Sequence, residues 1–244
     1  MSVWLTIPSA RPPEQANPIL EKWRERGYKI ALWRDIGAPL VTADVIEVAE
    51  YPGYAKAVNF LIRRTIALHP DAEWFVAAGD DTEPDPNKSA EQIAEELGDY
   101  FANLTHDMGA PAAWWGVMQP TGDRDFGDTQ GPYIDRVAGS AWIGREFARR
   151  MYGGNGPLWP EYTHMGVDEE LQAVAIKMGI FWQRQDLVHF HRHWGRPLPG
   201  ERMGNADRMP AFLEKANSAE EWHRYKRLFA ARSARGFPGH EPIP

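Results

Sequence analysis

The sequence has no cysteine among its 244 residues. Disulfide bonds and thiolate metal sites are therefore excluded, and any metal ion must be held by carboxylate, imidazole or water ligands. No stretch approaches the roughly 18 apolar residues of a membrane-spanning helix. The first residues, MSVWLTIPS, also lack the basic flank and long apolar segment of a signal peptide. We therefore expect a soluble, cytoplasmic protein.

A net positive charge is also lacking. The formal net charge is −7, which argues against a nucleic-acid-binding surface over the whole chain. The segment from Arg184 to Arg235 is an exception, because it has nine Arg and two Lys against six acidic residues. A segment of this kind forms either a solvated helical face or a patch that binds phosphate groups.

Short apolar strands alternate with amphipathic helices along the first hundred residues. The pattern predicts strands at 2–8, 28–33, 45–50 and 73–78, and helices at 12–26, 53–69 and 89–104. The second half is less regular, with strands predicted at 112–119, 137–144 and 186–195, and helices at 145–152, 168–179 and 218–232. This alternation is typical of an α/β fold with a mostly parallel central sheet flanked by helices. Ligands of such sheets bind at the carboxyl ends of the strands.

Two adjacent carboxylates, Asp80 and Asp81, follow a buried strand in the segment FVAAGDDTEPDP. Because neighbouring side chains point in different directions, one can reach a divalent cation and the other a hydroxyl or a metal-bound water. Carboxylate oxygens are suitable ligands for Mg²⁺ and Mn²⁺. The alternative is a turn at the strand end, in which the aspartates cap the next segment.

The segment AGDDTEPDP resembles the DxD region of glycosyltransferases with the GT-A fold, where a buried strand ends in acidic residues followed by proline. The resemblance implies that Asp81, at the last Asp of the motif, helps to bind Mn²⁺ or Mg²⁺ on the diphosphate of a UDP- or GDP-sugar. Asp80 takes the middle position and contacts either the metal or the donor. Gly79 stands where the family has its first acidic residue.

Other segments resemble the same family in the same order along the chain. TIPSARP ends the first strand, where such enzymes hold the nucleobase and ribose, and it contributes Pro8, Ser9 and Arg11. Asp35, which follows the second strand, is a further candidate for contact with the nucleotide sugar.

Two later segments extend the resemblance. GYAKAVNFLIRR resembles a helix near the nucleotide, with Lys56 and Asn59 as its polar members, although both are also compatible with an ordinary amphipathic helix. VAGSAWIGREF resembles the strand that lines the sugar and acceptor site. There Gly139 and Ser140 would allow close backbone approach, unless the small residues serve only packing.

The segment GVDEELQAVAIKMG resembles the acidic pair that opens a helix in this family. The match places Asp168 at the catalytic base of inverting members, with Glu169 as the alternative base. At a helix N-terminus the dipole and free amides stabilise an ionised carboxylate, so we expect a lowered pKa and a group able to accept a proton. The alternative is an ordinary N-cap followed by favourable first-turn acids.

Three histidines alternate in HFHRH, at His189, His191 and His193. On a strand they would share one face, where two imidazoles can meet one metal ion. GT-A enzymes often have a late histidine at the metal or diphosphate, so the resemblance implies His191, with His189 next. Packed or surface histidines, or a structural zinc site, are the alternatives.

The acceptor is the least defined part of this reading. Trp115, Trp142 and Trp159 are candidates for stacking on an acceptor, since aromatic faces bind both sugars and nucleobases. A hydroxymethylated base flipped out of DNA, a glycan and a small molecule are all compatible.

The resemblance predicts a metal-dependent, inverting glycosyltransferase. Its catalytic domain would span 1–195, with a nucleotide-sugar half at 1–105 and an acceptor half at 106–195, followed by a helical C-terminal extension and tail at 196–244. A nucleotidyltransferase and a non-catalytic sugar-nucleotide-binding protein are the alternatives.

Overall fold

A computed structural model of the chain describes residues 1–106, 115–120, 139–192, 209 and 211–241. The elements in chain order are β1 Ser2–Pro8, α1 Pro13–Glu25, β2 Lys29–Arg34, β3 Val45–Val48, α2 Tyr54–Leu68, β4 Ala72–Ala77, β5 Thr82–Glu83, α3 Ala90–His106, β6 Val117–Pro120, β7 Ala141–Gly144, α4 Arg145–Arg150, a 3₁₀ turn Met151–Gly154, α5 Val167–Lys177, β8 Phe181–Arg184, β9 Phe190–His191, α6 Ala211–Glu214 and α7 Ala219–Ala234.

A seven-stranded sheet forms the centre of the described fold, in the order β3-β2-β1-β4-β7-β6-β8. Its strands run in one direction except for β7, which is antiparallel to both of its neighbours. The central strands β1 and β4 are buried along nearly their whole length, as expected for parallel strands covered by helices on both faces. The predicted α/β fold with a mostly parallel sheet flanked by helices is confirmed.

Local signals in the sequence set several helix boundaries. Ser89 and Gln92 form the predicted capping box at the start of α3, with reciprocal bonds of 2.9 and 3.2 Å between side chain and backbone amide. At the start of α7 the Ser218 hydroxyl accepts a bond from the backbone amide of Glu221. Within the described ranges, no helix is both long and apolar enough to cross a membrane.

The histidine strand differs from the prediction. The sequence predicts a strand over 186–195, but within the described part of this range only Phe190 and His191 form a strand, and they pair with β5 rather than with the central sheet. The edge strand beside β6 is instead β8, which the sequence pattern did not indicate. The short, half-exposed sequence FWQR has too few buried positions to give a strand signal.

The sheet register determines where the candidate site forms. Strands β1 and β4 are parallel neighbours, and Thr6 pairs with Ala77 near their carboxyl ends. The chain leaving β1 at Ser9 and the chain leaving β4 at Asp80 therefore emerge side by side at one edge of the sheet.

Candidate functional site

The Asp80 carboxylate is held by the loop that follows β1. Ser9 Oγ donates a hydrogen bond of 2.7 Å to Asp80 Oδ2, and Arg11 Nε lies 3.0 Å from Asp80 Oδ1 in an ion pair. Arg34, fully buried at the end of β2, donates to the backbone carbonyls of Ser9 and Arg11 at 2.7 and 2.9 Å. These contacts bring Ser9 and Arg11 to Asp80, which lies about seventy positions further along the sequence.

Burial dominates the electrostatics of Asp80. Desolvation raises the pKa of Asp80, while the Arg11 guanidinium and the Ser9 hydroxyl lower it and Asp81 raises it. Both Asp80 oxygens already contact protein groups. The arrangement is therefore suited to fixing Arg11 at the sheet edge, where Arg11 Nη2 also lies 3.9 Å from Asp81 Oδ2.

Asp81 meets His191 through the small second sheet. Strand β5 pairs with β9 so that Thr82 lies opposite His191, and Asp81 Oδ1 is 3.2 Å from His191 Nε2. The site also explains the glycine in place of an acidic residue in the DxD-like motif. A Cβ on Gly79 would lie only 2.6 Å from Asp81 Oδ1, so a side chain there would displace the carboxylate.

His189 is not placed beside His191, which corrects the predicted shared face. His189 is only 4% exposed, its Nε2 accepts a bond of 3.4 Å from Trp142 Nε1, and its ring packs edge-on against Trp23. Burial lowers the pKa of His189 to about 3, so the ring is a neutral core group. The alternation rule fails because β9 covers only Phe190–His191; His193 lies outside the described residues.

The donor types at Asp81 and His191 fit a divalent metal ion. A carboxylate oxygen and an imidazole nitrogen are both ligands that Mn²⁺ accepts. Within the described ranges, however, no group of three His, Cys, Asp or Glu side chains could hold a metal ion on its own. An ion at this pair would have to complete its coordination with ligand phosphate oxygens and water, as Mg²⁺ commonly does.

Asp168 lies in the first turn of α5, as predicted, but its pKa is shifted in the opposite direction from the prediction. Burial, followed by the charge of Glu169, raises the pKa of Asp168 to about 6, although the backbone amide of Glu169 donates to Asp168 Oδ1 at 3.0 Å. The prediction of a lowered pKa is wrong because desolvation raises the pKa of Asp168 by more than the helix amides lower it. A Cβ on Gly139 would lie 4.0 Å from Asp168 Oδ2, so the Gly139 backbone borders this carboxylate.

Tyr54, at the start of α2, connects the two acidic parts of the site. Burial raises the pKa of Tyr54, and the charges of Asp168 and Asp81 raise it further, so both carboxylates act on this residue electrostatically. The ring centroid of His164 is 6.4 Å from that of Tyr54. Burial lowers the pKa of His164, while the charge of Asp81 raises it. Sequence reasoning missed Tyr54 and His164. The available signals were that Tyr54 lies within the segment GYAKAVNFLIRR and that His164 lies two residues before GVDEELQAVAIKMG.

Other predicted residues border the site less directly. Pro8 ends β1 beside the Ser9 loop. Asp35 follows β2, and both Asp35 and Asp80 raise the pKa of Tyr51, after burial, which is the larger cause. Ser140 is buried, and its backbone amide donates to the side chain of Gln119 at 3.4 Å.

In the structure, Asn59 and Lys56 lie in surroundings that differ from those of a nucleotide site. The Asn59 amide is 97% buried and pairs with the backbone of Leu158, donating at 2.7 Å to its carbonyl and accepting at 3.1 Å from its amide. A Cβ on Gly156 would lie 2.6 Å from Asn59. Asn59 therefore fixes the 156–158 loop. Lys56 is exposed and borders a surface groove shared with Pro52, Pro160, Glu161, Thr163 and Arg224.

Two of the three predicted acceptor tryptophans are buried and do not present free faces to an acceptor. Trp142 is fully buried in the core, and Trp115 is buried against Phe147. Trp159 is half-buried, and one face of its ring is covered by the guanidinium of Arg232, 3.6 Å from the ring centroid. Aromatic residues are common in cores, and their number in the sequence did not distinguish packing from recognition.

Comparison with known proteins gives matches in solved structures only. The chain matches no protein-family model, and a search of curated proteins gives no match. One similar structure is a mannosyltransferase from Pyrobaculum calidifontis in complex with GDP-Man and Mn²⁺, with 16% identity and a TM-score of 0.46; the match covers 78% of this chain and 56% of that one. A second is the catalytic domain of Drosophila β1,4-galactosyltransferase 7 in complex with xylobiose, with 13% identity and a TM-score of 0.44, covering 88% of this chain and 78% of that one. A third is a glycosyltransferase involved in glycosylation of the major capsid of PBCV-1, with 10% identity and a TM-score of 0.43, covering 79% of this chain and 93% of that one.

All three are glycosyltransferases. The chain spans little more than half the length of the Pyrobaculum protein. With identities of 16% or less and TM-scores below 0.5, these likenesses assign no donor, acceptor or mechanism to this chain.

Proposed function

We propose that the protein is a glycosyltransferase that moves a sugar from a nucleoside-diphosphate sugar to an acceptor hydroxyl. The observation that supports this most strongly is the position of two kinds of carboxylate at one edge of the sheet. Asp81 follows β4, and Asp168 borders Gly139, just before the paired strand β7. Asp81 belongs to a cluster with Arg11 and His191, and Asp168 is a carboxyl whose pKa is raised to about 6. The first group suits a diphosphate, and the second suits proton transfer.

On the donor side, the diphosphate would face the Arg11 guanidinium, which Asp80 holds in an ion pair of 3.0 Å. Asp81 and His191 would hold Mn²⁺ or Mg²⁺ together with phosphate oxygens. A bound divalent ion neutralises the charge that develops on the departing nucleoside diphosphate. Ser9, Asp35 and the exposed ring of Tyr51 would border the nucleoside.

On the acceptor side, Asp168 would accept the proton from the attacking hydroxyl. A base with a pKa of about 6 is mostly ionised at pH 7 yet retains affinity for a proton, which is the compromise that general base catalysis favours. The acceptor oxygen bonds to the anomeric carbon while the bond from that carbon to the diphosphate oxygen breaks. Attack from the face opposite the leaving group inverts the configuration.

The proposal is tested by thermal stabilisation with nucleoside diphosphates and sugar nucleotides, GDP-mannose included, each with and without Mn²⁺. A ligand present at 100 times its dissociation constant adds about 2.7 kcal/mol, or roughly 5–11 °C in Tm for a chain of this size. We expect metal-dependent stabilisation by one nucleotide in the wild type and in Asp168→Asn, and its loss in Asp81→Ala. Asp99→Ala, at an exposed position of α3, is the matched control.

The rival functions give different products. If no nucleotide stabilises the wild type, the donor site is refuted. If a sugar nucleotide binds but no sugar reaches DNA with hydroxymethylated bases, glycans or small hydroxylated acceptors, the protein is a binding module. Pyrophosphate release from a nucleoside triphosphate and a sugar 1-phosphate would instead identify a nucleotidyltransferase.

A further inference from the structure

Three consecutive acids open α5, and the structure gives each a different environment. Asp168 lies beside the Gly139 backbone. Glu169 accepts hydrogen bonds from the hydroxyl of Tyr225, at 2.9 Å to Oε1 and 2.7 Å to Oε2. The third acid, Glu170, is fully buried. The side chains of the second and third acids are held by α7, the last helix of the described chain.

Glu170 is anchored by a buried cluster. Arg232 Nε donates to Glu170 Oε2 at 2.7 Å and Arg232 Nη2 to Oε1 at 2.5 Å. The hydroxyls of Tyr152 and Tyr162 add bonds of 2.7 Å to Oε1 and 3.0 Å to Oε2. Each carboxylate oxygen therefore receives two donors, and the bidentate geometry fixes the orientation as well as the distance between α5 and α7.

Tyr225 also shapes the backbone that leads into α5. Gly166, immediately before the helix, has φ +84°, and a Cβ at this position would collide with the Tyr225 ring. The aromatic ring therefore packs directly on the helix entry, where a left-handed glycine is needed. One side chain of α7 contacts both the backbone before Asp168 and the carboxylate after it.

We propose that α7 is a positioning element for the acidic end of α5. Tyr225 holds the Glu169 carboxylate on the α7 side, and Arg232 anchors Glu170, so that Asp168 alone of the three acids is presented to the site. The role of Asp168 as base rests on the proposed function; the hold on Glu169 and Glu170 does not depend on it.

The arrangement has a measurable electrostatic consequence. The charge of Glu169, on the same helix, raises the pKa of Asp168, and the charge of Asp168 in turn raises the pKa of Tyr54 on α2. If Glu169 loses the Tyr225 hydroxyl, its charge is free to approach Asp168, and a like charge at shorter distance favours the protonated carboxyl. The pKa of Asp168 therefore reports directly on the hold exerted by α7.

The test is the variant Tyr225→Phe, which removes the hydroxyl and keeps the ring against Gly166. We expect the Asp168 carboxyl, followed by ¹³C NMR of labelled aspartate, to titrate about 0.5 pH units or more above the wild type. We also expect kcat, from transfer or donor hydrolysis, to fall about tenfold with the donor KM unchanged. Ser218→Ala removes the cap of the same helix and is expected to leave the Asp168 pKa unchanged.

An Asp168 pKa that stays or falls in Tyr225→Phe overturns the proposal, as does an equal shift in Ser218→Ala. A second variant, Glu169→Gln, removes the charge and keeps a side chain that Tyr225 can bond; it should lower the pKa of Asp168, and an unchanged value also counts against the proposal. The NMR titration needs no donor. If wild type binds no nucleotide yet the shifts occur, the proposed function fails while the positioning role stands.

Discussion

Replacing Arg232 by methionine is expected to be among the most damaging single changes in this protein. Glu170 is fully buried and Arg232 is 6% exposed. Arg232→Met removes two charge-assisted bonds from Glu170 and leaves its carboxylate with only two tyrosine hydroxyls in the cluster. Breaking a buried ion pair by removing one partner costs about 3–5 kcal/mol. For a chain of this length that corresponds to a fall in Tm of roughly 6–20 °C.

The assay is urea unfolding at pH 7 for Arg232→Met, Glu170→Gln and the double variant. The double variant should lose less stability than the sum of the single variants, because no unpaired carboxylate is left buried. Arg227→Met, at an exposed position of the same helix, should change the free energy of unfolding by about 0.5 kcal/mol or less. A loss below about 1 kcal/mol in Arg232→Met, or strict additivity in the double variant, would refute the reasoning.

Three further predictions follow from the site and its surroundings. Turnover should fall about tenfold for each pH unit below about 6, because the base must be ionised and the pKa of Asp168 is raised to about 6; a flat pH–rate profile from 7 to 4.5 would exclude this base. In the folded protein His189 is neutral, because its pKa is lowered to about 3. In the unfolded chain it takes up a proton below about pH 6.5, so no stability is lost above that pH. Below that pH the free energy of unfolding should fall by about 1.4 kcal/mol per unit more in the wild type than in His189→Gln, and equal slopes in urea titrations would contradict the core role. Asn59→Ala should cost about 2–4 kcal/mol through its two lost bonds to Leu158 without altering nucleotide-induced stabilisation; a stable variant that no longer responds to nucleotide would return Asn59 to the donor site.

Much of the fold could be predicted because its signals are local. Three of these signals are encoded by residues within a single helical turn or a single strand. They are the capping box at Ser89, the alternation of apolar strands with amphipathic helices, and the strand before Asp80. Parallel strands end at a common sheet edge, so the position of Asp80 and Asp81 at that edge could be predicted, whereas the pairing of β1 with β4 that brings Ser9 to Asp80 could not.

The predictions that were wrong depended on burial. Trp115, Trp142 and His189 were assigned to the site, but they are buried against partners that lie far away in the sequence, such as Trp23 for His189. The direction of the Asp168 pKa shift was wrong for the same reason. The helix dipole is a local effect that the sequence indicates, whereas desolvation depends on which segments cover the carboxyl.

The sequence by itself therefore determined the main strands and helices of the first hundred residues, the placement of Asp80 and Asp81 at a strand end, and the acidic start of α5. Only the tertiary structure decided which histidine reaches Asp81, which of the acids at 168–170 remains available, and that the last helix holds the other two. These outcomes depend on contacts between residues more than fifty positions apart, such as Tyr225 with Glu169 and His191 with Asp81. Their energies come from desolvation and side-chain geometry, which periodicity and spacing along the chain do not encode.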